Sequence, residues 1–300
     1  MTHEQHYPHL SPVVAEVADM DDATRIEYIA KDRFVSHARA EEVLSDWESL
    51  MRLDDAVRPQ GRLLVAHSLM GKSTLIDEFV RRHMASDNPD GDAASVPVLC
   101  VQVPEQARDG IYTEILSALN GRLTRSAKTS DVRQATVDLL ARVGTRILFI
   151  DEFHNILEGG APAQRKCLNA VKYLMNATRR PVVVSGTGEV INAIQSDPQF
   201  SSRLQPTVIR RFADDDKFQL LLAGFEALLP LRKPSNLHDP DLSTLIYNHT
   251  LGILGNVADL LNEAARLAIR EGTEQITEVE ITALKDRRPR TPHALMDQLG

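Results

Sequence analysis

Three hundred residues, 43% of them hydrophobic and 25% charged, suit a globular protein with one large α/β domain or two modest ones. No apolar run approaches the ~20 residues that a membrane-spanning helix needs, and the opening MTHEQHYPHLSP lacks the apolar stretch of a secretory signal. The formal charge of −8 is unevenly held: residues 1–60 carry 13 acids against 6 bases, the remainder 29 against 28, so a nucleic-acid partner is not excluded.

Along the chain, residues 1–20 hold Pro8 and Pro12 without periodicity and are expected to form a flexible arm. A helical segment follows over 21–58, with helices at 22–35 and 38–53. In the second, Val43, Leu44, Trp47, Leu50 and Met51 recur on one face. From 59 to 212 the pattern alternates. Short apolar strands at 62–65, 97–103, 146–150 and 181–185 are separated by helices at 72–84, 109–120, 130–142 and 163–178. Unalternating apolar strands followed by helices predict a parallel sheet covered on both faces, an α/β fold. The strand signal fades after about 205. Helices near 214–229, 239–249, 255–271 and 276–285 predict a small all-α lid over 213–286, and the proline-bearing 287–300 a loose tail. Cys100 and Cys167 lie far apart without metal-type spacing and are expected to be buried thiols in a reducing cytoplasm.

Ala66-His67-Ser68-Leu69-Met70-Gly71-Lys72-Ser73 has P-loop spacing and stands between a predicted strand and a predicted helix, the context such a loop needs. Loop amides and the helix N-terminus, with Thr74 in its first turn, would face the phosphates of ATP. Lys72 would reach the β- and γ-phosphates, and the Ser73 hydroxyl would ligate Mg²⁺. Gly71 permits close approach of the backbone. The first position departs from the usual pattern: Ala66 stands where glycine is customary, and looser forms accept it.

Arg146-Ile147-Leu148-Phe149-Ile150-Asp151-Glu152 is an apolar strand ending in two acids. At the carboxyl end of a buried parallel strand, Asp151 is placed to hold the metal ion and Glu152 to orient and deprotonate a water. The pair favours hydrolysis over a kinase or a non-hydrolysing switch. Strand 181–185 runs into Ser185-Gly186-Thr187-Gly188, where Thr187, or Ser185 as second choice, would sense the γ-phosphate. Arg203 lies about 16 residues past that turn and would stabilise transition-state charge in a neighbouring subunit. Arg210 and Arg211 are rivals for that role.

These residues give the chain a resemblance to the TniB family of transposition ATPases, AAA+ proteins related to the TnsC and MuB groups. The resemblance runs over roughly residues 20–285. It rests on the P-loop, on Ile150-Asp151-Glu152-Phe153-His154-Asn155-Ile156-Leu157, and on Leu168-Asn169-Ala170-Val171-Lys172-Tyr173-Leu174. It continues through Gly186-Thr187, Asp197-Pro198-Gln199-Phe200, Ser202-Arg203 and Leu229-Pro230-Leu231-Arg232-Lys233-Pro234-Ser235. It implies an ATP-dependent regulator that oligomerises on duplex DNA, selects a target, recruits or activates a transposase, in some cases through an adaptor, and disassembles on hydrolysis. It also implies that His154 and Asn155 lie near the nucleotide or the neighbouring subunit. In Gly255-Asn256-Val257-Ala258 the chain departs from many AAA+ relatives, which carry a sensor arginine near the position of Ala258.

DNA coating requires a face of lysine and arginine. Residues 122–146 hold six bases against two acids, and residues 159–181 hold Arg165, Lys166, Lys172, Arg179 and Arg180 with no acid. Without interleaved aromatics these tracts favour tracking of the duplex backbone. Arg108, Arg122, Arg125 and Lys128 are the expected contacts. Competing readings are an AAA+ motor or loader of secretion or replication, and a nucleotide-gated scaffold with little turnover.

Overall fold

The computed structural model describes residues 7–53, 59–88, 93–103, 110–121 and 128–284. In chain order these form α1 (Pro12–Ala18), α2 (Asp22–Ala30), α3 (Ala38–Met51), β1 (Gly61–Ala66), α4 (Lys72–Arg82), β2 (Val98–Gln102), α5 (Ile111–Ala118) and α6 (Thr129–Arg142). Then come β3 (Ile147–Asp151), a 3-10 turn (Phe153–Leu157), α7 (Gly160–Thr178), β4 (Val182–Gly186), α8 (Val190–Gln195), α9 (Pro198–Ser201) and β5 (Leu204–Ile209). The last helices are α10 (Asp216–Glu226), α11 (Pro240–Thr250), α12 (Leu254–Glu271) and α13 (Glu278–Ala283). Among the described residues the chain divides into two compact units, one of 39–68 and 72–209, the other of 7–38, Leu69–Gly71 and 210–284.

The first unit is built on a five-stranded parallel sheet in the order β2-β3-β4-β1-β5. Every residue of β1, β3 and β4 is buried, which explains their unalternating apolar sequences: helices cover both faces. The strand period still sorts the side chains. Leu148 and Ile150 of β3 join Leu63, Val65, Val182 and Val184 in one core. Phe149 points the other way and meets Trp47 of α3 at 4.8 Å and Phe79 of α4 at 5.5 Å between ring centroids. The apolar face predicted for α3 is buried in full.

The sheet has one more strand than the sequence pattern discloses. β5 pairs along β1 from Gly61↔Leu204 to Ala66↔Ile209. Its sequence, Leu204-Gln205-Pro206-Thr207-Val208-Ile209, contains a proline and buries only its two ends. An edge strand tolerates both, since one of its sides makes no ladder hydrogen bonds.

In the second unit Ile29 of α2 packs with Phe218, Leu222, Ile246, Leu261 and Ile281 in an all-helical core. Asp215, Asp239 and Thr277 cap the N-termini of α10, α11 and α13 with their side chains. Arg25 is fully buried and donates to the Pro230 carbonyl (3.0 and 2.9 Å), to Asp22 and to Glu274. Arg232 donates to the carbonyls of Ala18 and Met20. The Glu226 carboxylate accepts the amides of Ser235, Asn236 and Leu237 at 2.8–2.9 Å. The Leu229–Ser235 string is therefore occupied in holding this unit together.

Two expectations about the N-terminal region need correction. Residues 7–20 are not a loose arm: Tyr7, Leu10, Val14 and Ala18 are buried as a cluster, and α1 starts on Pro12. A proline in the first helical turn gives up an amide that has no helical partner anyway, so it does not break this helix. Nor is 21–58 one segment, because α2 belongs to the helical unit and all of α3 but its first residue to the sheet unit.

Candidate functional site

Parallel strands end together, and the carboxyl ends of β1, β4 and β3 lie side by side in that order. The register sets Val65 beside Gly186 and Ile150 beside Val184. Ser185 therefore stands one strand away from Asp151, at the ordinary spacing of about 4.8 Å.

The loop after β1 bends through two left-handed residues, Leu69 at φ 63° and Gly71 at φ 75°. A side chain at Gly71 would be strained in this conformation, and glycine adopts it freely. His67, Ser68 and Leu69 are exposed, and Met70 is buried. Lys72 opens α4 and is buried, its ammonium donating to the carbonyls of Ala66 (3.2 Å) and His67 (3.3 Å). Burial pulls the Lys72 pKa below its ordinary value, and the carboxylates of Glu152 and Asp151 partly oppose the shift. A buried ammonium whose partners are neutral carbonyls is electrostatically matched by a polyphosphate.

Asp151 is buried, and both its oxygens are engaged. The Ser73 hydroxyl donates to Oδ2 at 2.8 Å, while the Glu152 amide (2.8 Å) and the Ser185 hydroxyl donate to Oδ1. Ser73 and Asp151 thus converge from different strand ends as hard oxygen donors, a set that fits Mg²⁺. Among the described residues no group of three or more His, Cys, Asp or Glu forms a metal cage.

Glu152 leaves the strand in the left-handed region, φ 52° and ψ 37°, and the 3-10 turn begins directly after it. His154 Nε2 lies 3.1 Å from Glu152 Oε2. Asn155 donates to the Val103 carbonyl at 2.9 Å, anchoring the turn to the end of β2. Thr187 is in the loop after β4, with its hydroxyl oxygen buried and without a hydrogen-bond partner among the described residues.

Arg203 stands apart from this cluster. Its carbonyl accepts the Gly61 amide at 2.8 Å, at the amino end of β1, and its guanidinium donates to Asn176 at 2.5 Å. The length of β1 separates it from the loop of its own chain, on the order of 20 Å. Thr74 is exposed on α4. Of the expected DNA contacts, Arg108, Arg122 and Arg125 lie outside the described residues, and Lys128 is exposed just ahead of α6. Within the second basic tract Lys172 is ion-paired with Asp197 at 2.6 Å. Sequence reasoning set Ser185 second to Thr187, because either polar residue at a strand tip suits a sensing role; the contact with Asp151 appears only once β3 and β4 are adjacent.

Comparison with solved structures shows the same fold. The ORC2 protein of Aeropyrum pernix, solved in ADPNP and ADP complexes, is 16% identical with a TM-score of 0.59, over 88% of this chain and 72% of that one. The ORC1 protein of Aeropyrum pernix, solved in complex with DNA, is 15% identical with a TM-score of 0.56, over 87% and 68%. Cdc6p of Pyrobaculum aerophilum is 16% identical with a TM-score of 0.60, over 86% and 68%. Curated proteins give no match. The family model described as bacterial TniB protein matches residues 25–214, more than half of the sequence. With its P-loop and carboxylate pair on a parallel sheet, the chain belongs to the TniB family and is an ATPase.

Proposed function

We propose that this protein is an ATP-dependent regulator of DNA transposition, which assembles with copies of itself on duplex DNA when ATP is bound. There it marks the target and recruits or activates a transposase, directly or through an adaptor, and hydrolysis takes the assembly apart. The observation that carries the ATP-dependent part is the convergence on Asp151 of Ser73, Ser185 and the Glu152 amide beside the buried Lys72. Membership in the TniB family supports the transposition part, and the ORC1 relative solved with DNA supports a DNA-bound state.

In this reading the amides of residues 66–74 and the Lys72 ammonium bind the β- and γ-phosphates. Ser73 and Asp151 would hold Mg²⁺, which when bound would supply positive charge beside the phosphates. Glu152 accepts a proton from the attacking water, and Thr187 donates its hydroxyl toward the γ-phosphate. Arg203, far from its own loop, serves the site of an adjacent protomer. Lys128, with Arg108, Arg122 and Arg125, contacts the DNA backbone. The free thiols of Cys100 and Cys167 are half-buried rather than fully buried, and that burial pushes both up to about 12. Among the described residues no helix is long and apolar enough to cross a membrane.

Two variants test the reading. Lys72→Ala should abolish ATP binding and ATP-dependent assembly on DNA, measured by nucleotide affinity and by sedimentation with duplex. Glu152→Gln should bind ATP and assemble but hydrolyse on the order of 100-fold or more slowly. Wild-type nucleotide affinity in Lys72→Ala would sink the assignment of the loop. Full transposition activity in Glu152→Gln would favour a scaffold that does not need turnover.

A further inference from the structure

The two acids at the tip of β3 are held differently. Asp151 is buried and fixed by three donors, whereas the Glu152 side chain is 36% exposed. A glutamate has three rotatable bonds, and a carboxylate that must meet a water in one place loses efficiency when it wanders. What restrains Glu152 is the 3-10 turn. With its backbone left-handed at φ 52° and the turn starting at the next residue, the chain doubles back and brings His154 two positions on, with Nε2 at 3.1 Å from Oε2.

The chemistry of the pair decides which atom of this ion-pair contact can carry a hydrogen. A carboxylate oxygen only accepts, so Nε2 carries the hydrogen. The other ring nitrogen, Nδ1, is buried and has no hydrogen-bond partner among the described residues. Among the described residues no second polar anchor is seen at the ring, and its Nε2 faces the Glu152 carboxylate. The turn itself is held independently, by Asn155 on the Val103 carbonyl and by the close approach of β4, where a Cβ at Gly186 would lie 3.4 Å from the His154 amide nitrogen. The support is thus rigid, and the imidazole is what it presents to the carboxylate.

We infer that His154 is a positioning residue for hydrolysis: its Nε2–H holds Oε2 of Glu152 and leaves Oε1 to accept the proton of the attacking water. The inference rests on the proposed role of Glu152 as the water-activating base. A pair this open adds little to stability, so the effect belongs in turnover.

The test measures ATPase kcat and KM and thermal melting for Glu152→Gln, His154→Ala, His154→Gln and the Glu152→Gln/His154→Ala double variant, each as the full chain with saturating duplex DNA. Expected are a loss in kcat of roughly 10- to 100-fold for His154→Ala, with KM and melting unchanged, and recovery of most of it in His154→Gln, whose amide N–H can reach the same oxygen. In the Glu152→Gln background His154→Ala should add nothing further. Wild-type turnover in Glu152→Gln would strike down the proposed mechanism itself. With Glu152→Gln inactive, any one of four results overturns the role of His154 alone: near-normal kcat in His154→Ala, equal loss in His154→Gln, a shift in KM or melting, or an additive loss in the double variant.

Discussion

Asp151 shows how a single side chain gathers a site. It sits at the end of a wholly buried strand, so its carboxylate must be met by donors, and three arrive: one from α4, one from β4 and one from the amide of Glu152. The two candidate sensing residues differ in the same terms, since Ser185 is spent on Asp151 while the Thr187 hydroxyl is buried without a partner among the described residues. They should therefore separate in a magnesium titration of ATPase activity. Ser185→Ala loosens the carboxylate and should raise the half-maximal Mg²⁺ concentration, by about 10-fold on the scale of outer-shell partners. Thr187→Val should lower kcat and leave the Mg²⁺ requirement alone. Equal shifts in both variants would show that they share one role.

At the scale of elements, short pieces hold only where a side chain ties them down. The four-residue α9 depends on Asp197, which accepts the amides of Gln199 and Phe200 at 3.1 Å each and pairs with Lys172 of α7 at 2.6 Å. Removing both the cap and the ion pair with Asp197→Ala should cost about 1–2 kcal/mol in urea unfolding. The hydrogen bond from Lys172, aided by the helix amides, holds the Asp197 carboxyl below its ordinary range. A group whose folded pKa is depressed stabilises fully above the unfolded value of about 3.9 and loses that contribution as pH falls through the folded value. The gap between wild type and Asp197→Ala should therefore be constant from pH 5 upward and close in stronger acid. A gap that widens on acidification would contradict the assignment.

At the scale of the molecule, the sheet places Arg203 and the phosphate loop at opposite ends of β1. One chain alone cannot bring them together, so the proposed role of this arginine requires a second protomer. Arg203→Ala should bind ATP yet turn it over about 1,000-fold or more slowly, at the lower end of the range known for such arginines. Mixing it with Lys72→Ala should restore some turnover, because an Arg203→Ala protomer with ATP in its own intact loop can still take the intact arginine of a Lys72→Ala neighbour. A mixture no faster than its parts would remove Arg203 from the mechanism and direct attention to Arg210 and Arg211.

Much of the site was legible because its signals are local. A phosphate loop is a run of eight residues whose spacing is set by backbone geometry, and a buried parallel strand ending in Asp-Glu announces itself by unbroken apolarity and a sudden pair of charges. Local pattern alone was enough to place the α/β class, the loop from Ala66 to Ser73 and the Asp151–Glu152 pair. What depends on adjacency between distant segments came from the folded chain. It ordered the strands so that Ser185 meets Asp151, and it used Pro206 on an edge that tolerates it. It packed α1 on residues that lack periodicity, and it folded His154 back onto Glu152 through a left-handed residue. The reason is that a strand tip or a turn acquires its partner from the neighbour the sheet assigns, and local pattern carries no record of that neighbour.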